Sequence, residues 1–257
     1  MFKRFVRLTG AILLMALLAA GFCLATVTAV SAAPEVPAAP LGAAAAQASL
    51  DPGIGVIVFD GDSLTAGSEA TDPYPSQVMR KMDSGICWYN LGIGGLRIKD
   101  ILAMAPTRVD RRFNSRLGRN VVVVWAGTND LALWNHMASA VFERLEQYCL
   151  DRRQQGFTVL VLTMLPRNDK LCLPGFEDKR QSVNRRLRTT WPDFADGIVD
   201  VAADPVLGWV GCEKDLRYWV KGGVHLTNKG LGLVATHVRE GLLELGSNDS
   251  AAVAAGN

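Results

Sequence analysis

The chain is poor in histidine and cysteine and nearly balanced in charge. Its 257 residues hold three histidines and five cysteines, with 27 Lys and Arg against 25 Asp and Glu. A formal net charge of +2 leaves no electrostatic footprint for nucleic acid, and none is expected as a partner. His136, His225 and His237 are dispersed and lack the cysteine or carboxylate spacing of a zinc site, so no metal is expected. A Gly-x-x-x-x-Gly-Lys phosphate loop is absent. Gly92 and Gly94 fall short of Gly-x-Gly-x-x-Gly because Arg97 stands at the last place, which argues against a dinucleotide. Gly61-Asp62-Ser63-Leu64-Thr65 lacks the second glycine of the Gly-x-Ser-x-Gly elbow and so departs from the α/β-hydrolase pattern. No internal repeat is present.

What the chain does have is a set of apolar runs that stop on polar turns. Val56-Ile57-Val58-Phe59 breaks at Asp60-Gly61-Asp62-Ser63, the pattern of a buried parallel strand ending in a tight turn. Ligand sites in open α/β sheets gather just outside the carboxyl ends of strands. A serine held there is a nucleophile if a base and an oxyanion hole come from elsewhere. It is equally a helix cap, a place that favours Asp and Ser.

Two further segments repeat the design. Ile86-Cys87-Trp88-Tyr89 runs into Asn90-Leu91-Gly92-Ile93-Gly94-Gly95, and the run from Val121 to Ala126 into Gly127-Thr128-Asn129-Asp130. Glycine lets a backbone N–H approach a ligand closely, and an Asn amide adds donors. His225, in Gly222-Gly223-Val224-His225-Leu226-Thr227, is the candidate base. His136 reads as a structural or surface residue near the Asn129 turn, and His237 as a helix-face residue.

Gly61-Asp62-Ser63-Leu64, the Asn90–Gly95 turn, Gly127-Thr128-Asn129-Asp130 and Val224-His225-Leu226 resemble the four blocks of the SGNH (GDSL) esterase/lipase superfamily. They stand in the family's order and at similar spacings, from about Ile54 to Leu243. The resemblance implies an α/β fold: a three-layer α/β/α sandwich of flavodoxin type around a five-stranded parallel sheet. It implies Ser63 as nucleophile and His225 as general base. The Ser63 N–H, the Gly95 N–H and the Asn129 side chain would form the oxyanion hole, with no metal or organic cofactor. Asp62 and Asp130, inside the motifs, are candidate substrate-binding residues.

One position departs from the family. Its last block reads Asp-x-x-His, and Gly222 stands where the aspartate would orient the histidine. A backbone carbonyl or another carboxylate could do that work, and Asp215, Asp200 and Asp204 are the nearest candidates in sequence. Otherwise the protein binds an acyl or glycan ligand with little turnover, or an ordinary enzyme has lost its activity.

Lys3, Arg4 and Arg7 precede an apolar run over about residues 8–30 and the small residues Ser31-Ala32-Ala33. Residues 1–33 therefore read as a signal peptide or, uncleaved, as a membrane anchor through residues 8–30. Export to the periplasm or the medium is expected on either reading. Residues 34–50, rich in Ala and Pro, read as a linker, 51–247 as one domain, and 248–257 as a disordered tail. Strands expected near 54–60, 87–91, 121–126, 158–164 and 197–201 alternate with helices near 73–83, 97–117, 135–155, 177–190 and 227–245. Such alternation argues for a parallel sheet covered on both faces.

Four cysteines lie beyond the leader: Cys87, Cys149, Cys172 and Cys212. An exported chain with an even count admits two disulfides, of which Cys172–Cys212 is the expected one; buried free thiols are the alternative. Arg108, Arg111, Arg112, Arg116 and Arg119 form a basic cluster, either a surface for anionic glycans or phospholipid headgroups or a solvated helix face. The loop from Pro166 to Gly175 is expected to overhang the Ser63 turn. Together these readings describe a monomeric, exported serine esterase acting on acetylated glycans or on short acyl or lysophospholipid esters. The alternative is a weak or inactive envelope protein of the same fold that binds acylated glycans.

Overall fold

Five parallel strands form one sheet: β1 (Ile54–Gly61), β2 (Cys87–Asn90), β3 (Arg119–Trp125), β4 (Thr158–Leu162) and β5 (Gly197–Val199), in the order β2-β1-β3-β4-β5. The computed structural model describes residues 53–82 and 85–255, with side chains through Leu245. The leader and linker expected over residues 1–33 and 34–50 lie outside the described residues. Among the described residues, no helix is long and apolar enough to cross a membrane.

The strands are apolar on both faces because both are covered. Val56, Val58, Val122, Val124, Val159 and Val161 pack against α3 (Ile98–Arg108), α5 (Ala138–Gln154) and α6 (Phe176–Thr190). The intervening residues Ile57, Phe59, Val121, Val123, Leu160 and Leu162 pack against α2 (Tyr74–Met79) and α7 (Asn228–Ala255). Two short helices complete the set, α1 (Ser63–Ala66) and α4 (Thr128–Ala132). This is the expected three-layer sandwich. Each fully buried Val, Leu or Ile contributes about 1.5–3 kcal/mol by leaving water, so the strands form a rigid base beneath the loops.

Strand order places the site. From β1 the chain moves outward to β2, and from β3 it moves the other way to β4, so the winding reverses between β1 and β3. A crevice opens at the carboxyl ends of such a pair. Register pairs Gly61 with Trp125, which brings the turns after both strands side by side.

Three expectations are corrected. The helix expected over 97–117 stops at Arg108, with Pro106 in its last turn, and the Asn120 side chain exchanges hydrogen bonds with the Asn114 backbone (2.7 and 2.9 Å). The closing helix continues to Ala255, past the point where the tail was expected to lose structure; the alanine-rich stretch there has high helix propensity. The four cysteines among the described residues are free, so Cys172 and Cys212 are not bridged. Cys212 is instead buried with its thiol directed at the Leu207 carbonyl (3.0 Å).

Candidate active site

Ser63 is the first residue of α1, immediately after β1. Asp62 caps that helix by accepting the Leu64 N–H (3.0 Å), and the N–H groups of Gly67 and Ser68 both close onto the Ser63 carbonyl (3.0 Å each). The serine is thus both the cap-adjacent residue and a side chain held at the crevice. His225 comes from the loop before α7. Its ring Nε2 lies 3.0 Å from Ser63 Oγ, the contact a base needs to take the hydroxyl proton. The backbone around it is braced: the Val220 N–H donates to the His225 carbonyl (2.9 Å), and Thr227 N–H to Tyr218 (2.9 Å).

The donors expected to form the oxyanion hole come from the neighbouring strand ends. Gly95 has φ +78°, a conformation suited to glycine, and open space lies where a side chain would project. Among the described residues, the backbone N–H groups of Ser63 and Gly95 meet no acceptor. Asn129, on α4, is buried. One of its amide hydrogens goes to the Leu96 carbonyl (2.9 Å), beside Gly95, and leaves the other to donate. Its Oδ1 accepts from Arg167 at 3.4 Å, and Arg167 is in turn locked to Asp169 (2.7 Å).

Asp62 and Asp130, the candidate substrate-binding residues, are buried and engaged by backbone N–H groups. Asp62 is fully buried, and burial pushes its carboxyl up to about 7 despite the Leu64 N–H and the Arg167 charge. Asp130 is also buried. Its carboxylate accepts the Ile98 N–H (2.8 Å) and meets His136 Nδ1 (3.3 Å), so it ties the start of α3 to α4 and gives His136 a structural role. Burial raises its carboxyl too.

None of the three carboxylates considered for orienting His225 takes that place. Asp215 is forked by Arg217 (2.6 Å), which holds it down to about 2. Asp200 binds Arg188 (2.7 Å) and Thr163 (2.9 Å). Asp204 binds the helix-face histidine His237 at 2.7 Å; burial raises it, but that bond and two backbone N–H groups outweigh burial and hold it low. The carboxylate that does meet the ring is Glu69, with Oε1 3.4 Å from Nδ1. Sequence reasoning passed over Glu69 and Arg167. Glu69 lies beyond the nucleophile motif and far from the histidine in sequence, with no spacing rule to connect them.

The loop after β4 does border the site: the Asn168 N–H donates to Gly223 (3.1 Å), and Asp169, Lys170 and Leu171 share a cavity of about 280 Å³ with Glu69, Gly222 and His225. The basic cluster is largely engaged. Arg108 binds the Leu91 carbonyl and lies 3.8 Å from Asp60, Arg112 lies over the Tyr89 ring, and Arg119 reaches the Leu245 carbonyl (2.7 Å).

A family model for the GDSL-like lipase/acylhydrolase family matches residues 59–232, more than half of the 257. The chain belongs to that family. It is a hydrolase acting on ester bonds. No curated protein matches it. Among solved structures, a carbohydrate acetylesterase family member from Sinorhizobium meliloti is similar in fold (TM-score 0.61, 16% identity, covering 76% of this chain and 100% of that one). So are a GDSL-like lipase from Bacteroides thetaiotaomicron (0.58, 19%, 74% and 88%) and a psychrotrophic esterase from a Pseudoalteromonas species (0.57, 13%, 74% and 97%). In this GDSL-family chain the four motif blocks converge on one crevice, and the aspartate of the last block is missing.

Proposed function

We propose that this GDSL-family hydrolase is a serine esterase working through an acyl-enzyme on Ser63. The carrying observation is the 3.0 Å contact between His225 Nε2 and Ser63 Oγ at the mouth of the β1/β3 crevice. Ser63 Oγ attacks the ester carbonyl while His225 takes its proton. The tetrahedral oxyanion rests on the Ser63 and Gly95 N–H groups and the free amide hydrogen of Asn129. His225 then returns the proton to the departing alcohol, and water, activated by the same ring, releases the acid.

Short acyl groups on bulky alcohols, such as O-acetylated glycans, fit this site best among the ester classes considered. The face of Gly95 is open, which leaves room for a large leaving group. Trp134 stands 55% exposed near the oxyanion turn, with the Arg97 guanidinium 4.4 Å from its ring centre, and offers a flat apolar surface to a sugar. The N-terminal residues 1–33 would export the chain, as a monomer, to where such polymers occur.

The test is hydrolysis of p-nitrophenyl acetate by the full chain beside Ser63→Ala. Loss of about 10⁴-fold or more in kcat is expected for the variant. Equal rates in the two proteins would sink the acyl-enzyme and favour the glycan-binding reading.

A further inference from the structure

We propose that Glu69 replaces the missing aspartate as the positioning carboxylate of His225, a reading that rests on the Ser63–His225 mechanism above. The two ring nitrogens have two partners in triad order: Nε2 is within hydrogen-bond reach of Ser63 Oγ (3.0 Å), and Nδ1 lies 3.4 Å from Glu69 Oε1, at ion-pair distance. The family's own acid position is vacant, because Gly222 has no side chain and nothing lies within 4 Å of where one would start. Asp215, Asp200 and Asp204 are engaged elsewhere. Asp169, the other acid lining the cavity beside His225, is held by Arg167 (2.7 Å) and by the Leu171 N–H (2.9 Å). Of these carboxylates, Glu69 is the one left to serve.

Its backbone supports the assignment. Glu69 has φ +65°, a left-handed conformation that residues other than glycine seldom adopt and that clusters at functional sites. The turn carrying it is pinned to the nucleophile, since the Gly67 and Ser68 N–H groups bind the Ser63 carbonyl and the Ala70 N–H binds Gly67 (3.0 Å). Nucleophile and acid therefore sit on one rigid turn, where the family draws its acid from the histidine's own loop. A carboxylate at Nδ1 accepts that nitrogen's proton, which leaves the Nε2 lone pair facing Ser63, and it stabilises the imidazolium formed during attack. The 3.4 Å separation is of the kind that shortens once substrate binds and the ring gains charge. Because the Glu69 side chain is 54% exposed, water screens the pair, and its effect should fall below that of a buried triad acid.

The experiment compares the full chain with Glu69→Gln, Glu69→Ala and Ser63→Ala. For both Glu69 variants, kcat is expected to drop by about 10–10²-fold, less than the roughly 10⁴-fold of a buried triad aspartate, with KM nearly unchanged. The chain has three histidines, so the ¹⁵N signals of His225 can be assigned. They should report the Nδ1–H tautomer in the parent and a shift toward Nε2–H in both variants. Formate should restore part of the Glu69→Ala rate, drawn into the cavity that Lys170 and Lys221 line, and none of the Ser63→Ala rate. A rate loss with no tautomer change and no formate rescue would assign Glu69 a merely structural role and overturn the proposal. Parental kcat and tautomer in the Glu69 variants, with Ser63→Ala inactive, would overturn it and leave the serine esterase standing. If the parent itself fails to turn over, the esterase reading falls, and the tautomer measurement alone decides Glu69.

Discussion

The two halves of the site are built differently. The proposed oxyanion half is cross-braced: Leu91 and Ile93 N–H groups bind the β1 carbonyls of Phe59 and Gly61 (2.8 and 3.1 Å), Asn129 binds Leu96, Asp130 binds Ile98, and Arg167 binds Asn129. Its buried carboxylates serve that bracing. The histidine half is sparse around the ring, with a half-exposed Glu69, a glycine in the acid's place and an open cavity beside it. The difference follows the chemistry. Donors to a developing oxyanion must be fixed before the charge appears, because reorganising them during reaction would forfeit their stabilisation. A base must exchange a proton with the nucleophile, the leaving group and water, and tolerates a looser setting.

If that contrast is real, damage to the braced half should cost most. Asn129→Ala should lower kcat by about 10²–10³-fold with little change in KM, since its amide acts mainly on the transition state. Steady-state kinetics on p-nitrophenyl acetate decide this, and a loss confined to KM would refute the oxyanion assignment. Arg167→Met tests the brace itself. It frees Asn129 Oδ1 without touching the donor, and a fall in kcat of about tenfold is expected from the loss of preorganisation. An unchanged rate would show that the Leu96 contact holds the amide unaided.

The braced half was also the more legible in the sequence. Ser63, Gly95 and Asn129 each follow an apolar β-run that ends in a polar turn, so strand pattern and site position carry the same signal. The sheet and its flanking helices follow from that alternation, whereas the strand order that puts the switch between β1 and β3 does not. The surroundings of Asp62 and Asp130 were less legible, because a motif shows which residues occur together without showing which way each faces: both turn inward and accept backbone N–H groups. The histidine's partner was illegible for a different reason. Distance along the chain favoured Asp200, Asp204 and Asp215, but each meets a nearer cation or histidine, whereas Glu69 reaches the ring only through the folding of β1 against the last loop.

The buried charge of the braced half predicts a pH effect on stability. Burial raises Asp62 to about 7 from an ordinary value of 3.8, so between those limits the folded state binds more protons than the unfolded one. The Asp62 contribution to stability then falls as pH rises from about 4 to 7, by up to about 1.4 kcal/mol per pH unit. Asp62→Asn retains a good helix cap and removes the charge. Urea unfolding across that window should show the variant gaining stability relative to the parent as pH rises. Some slope should persist, because burial also raises Asp60, to about 6. Parallel curves for the two proteins would mean that the Asp62 charge is not disfavoured by folding.

The smallest effect should come from giving the sparse half back its family residue. Gly222→Asp meets no steric obstacle, since the space around that position is open, but its φ of +125° suits glycine and strains an aspartate by about 1–3 kcal/mol. A carboxylate there would approach a ring whose Nδ1 already faces Glu69. The two acids would compete for one proton and repel each other, so kcat should stay within about tenfold of the parent while Tm falls by a few degrees. The informative failure is a gain beyond about 10²-fold, toward the roughly 10⁴-fold on which a missing buried triad acid is felt. Such a gain would mean that His225 waits unoriented in the parent, and the histidine half would then be incomplete as well as loosely built.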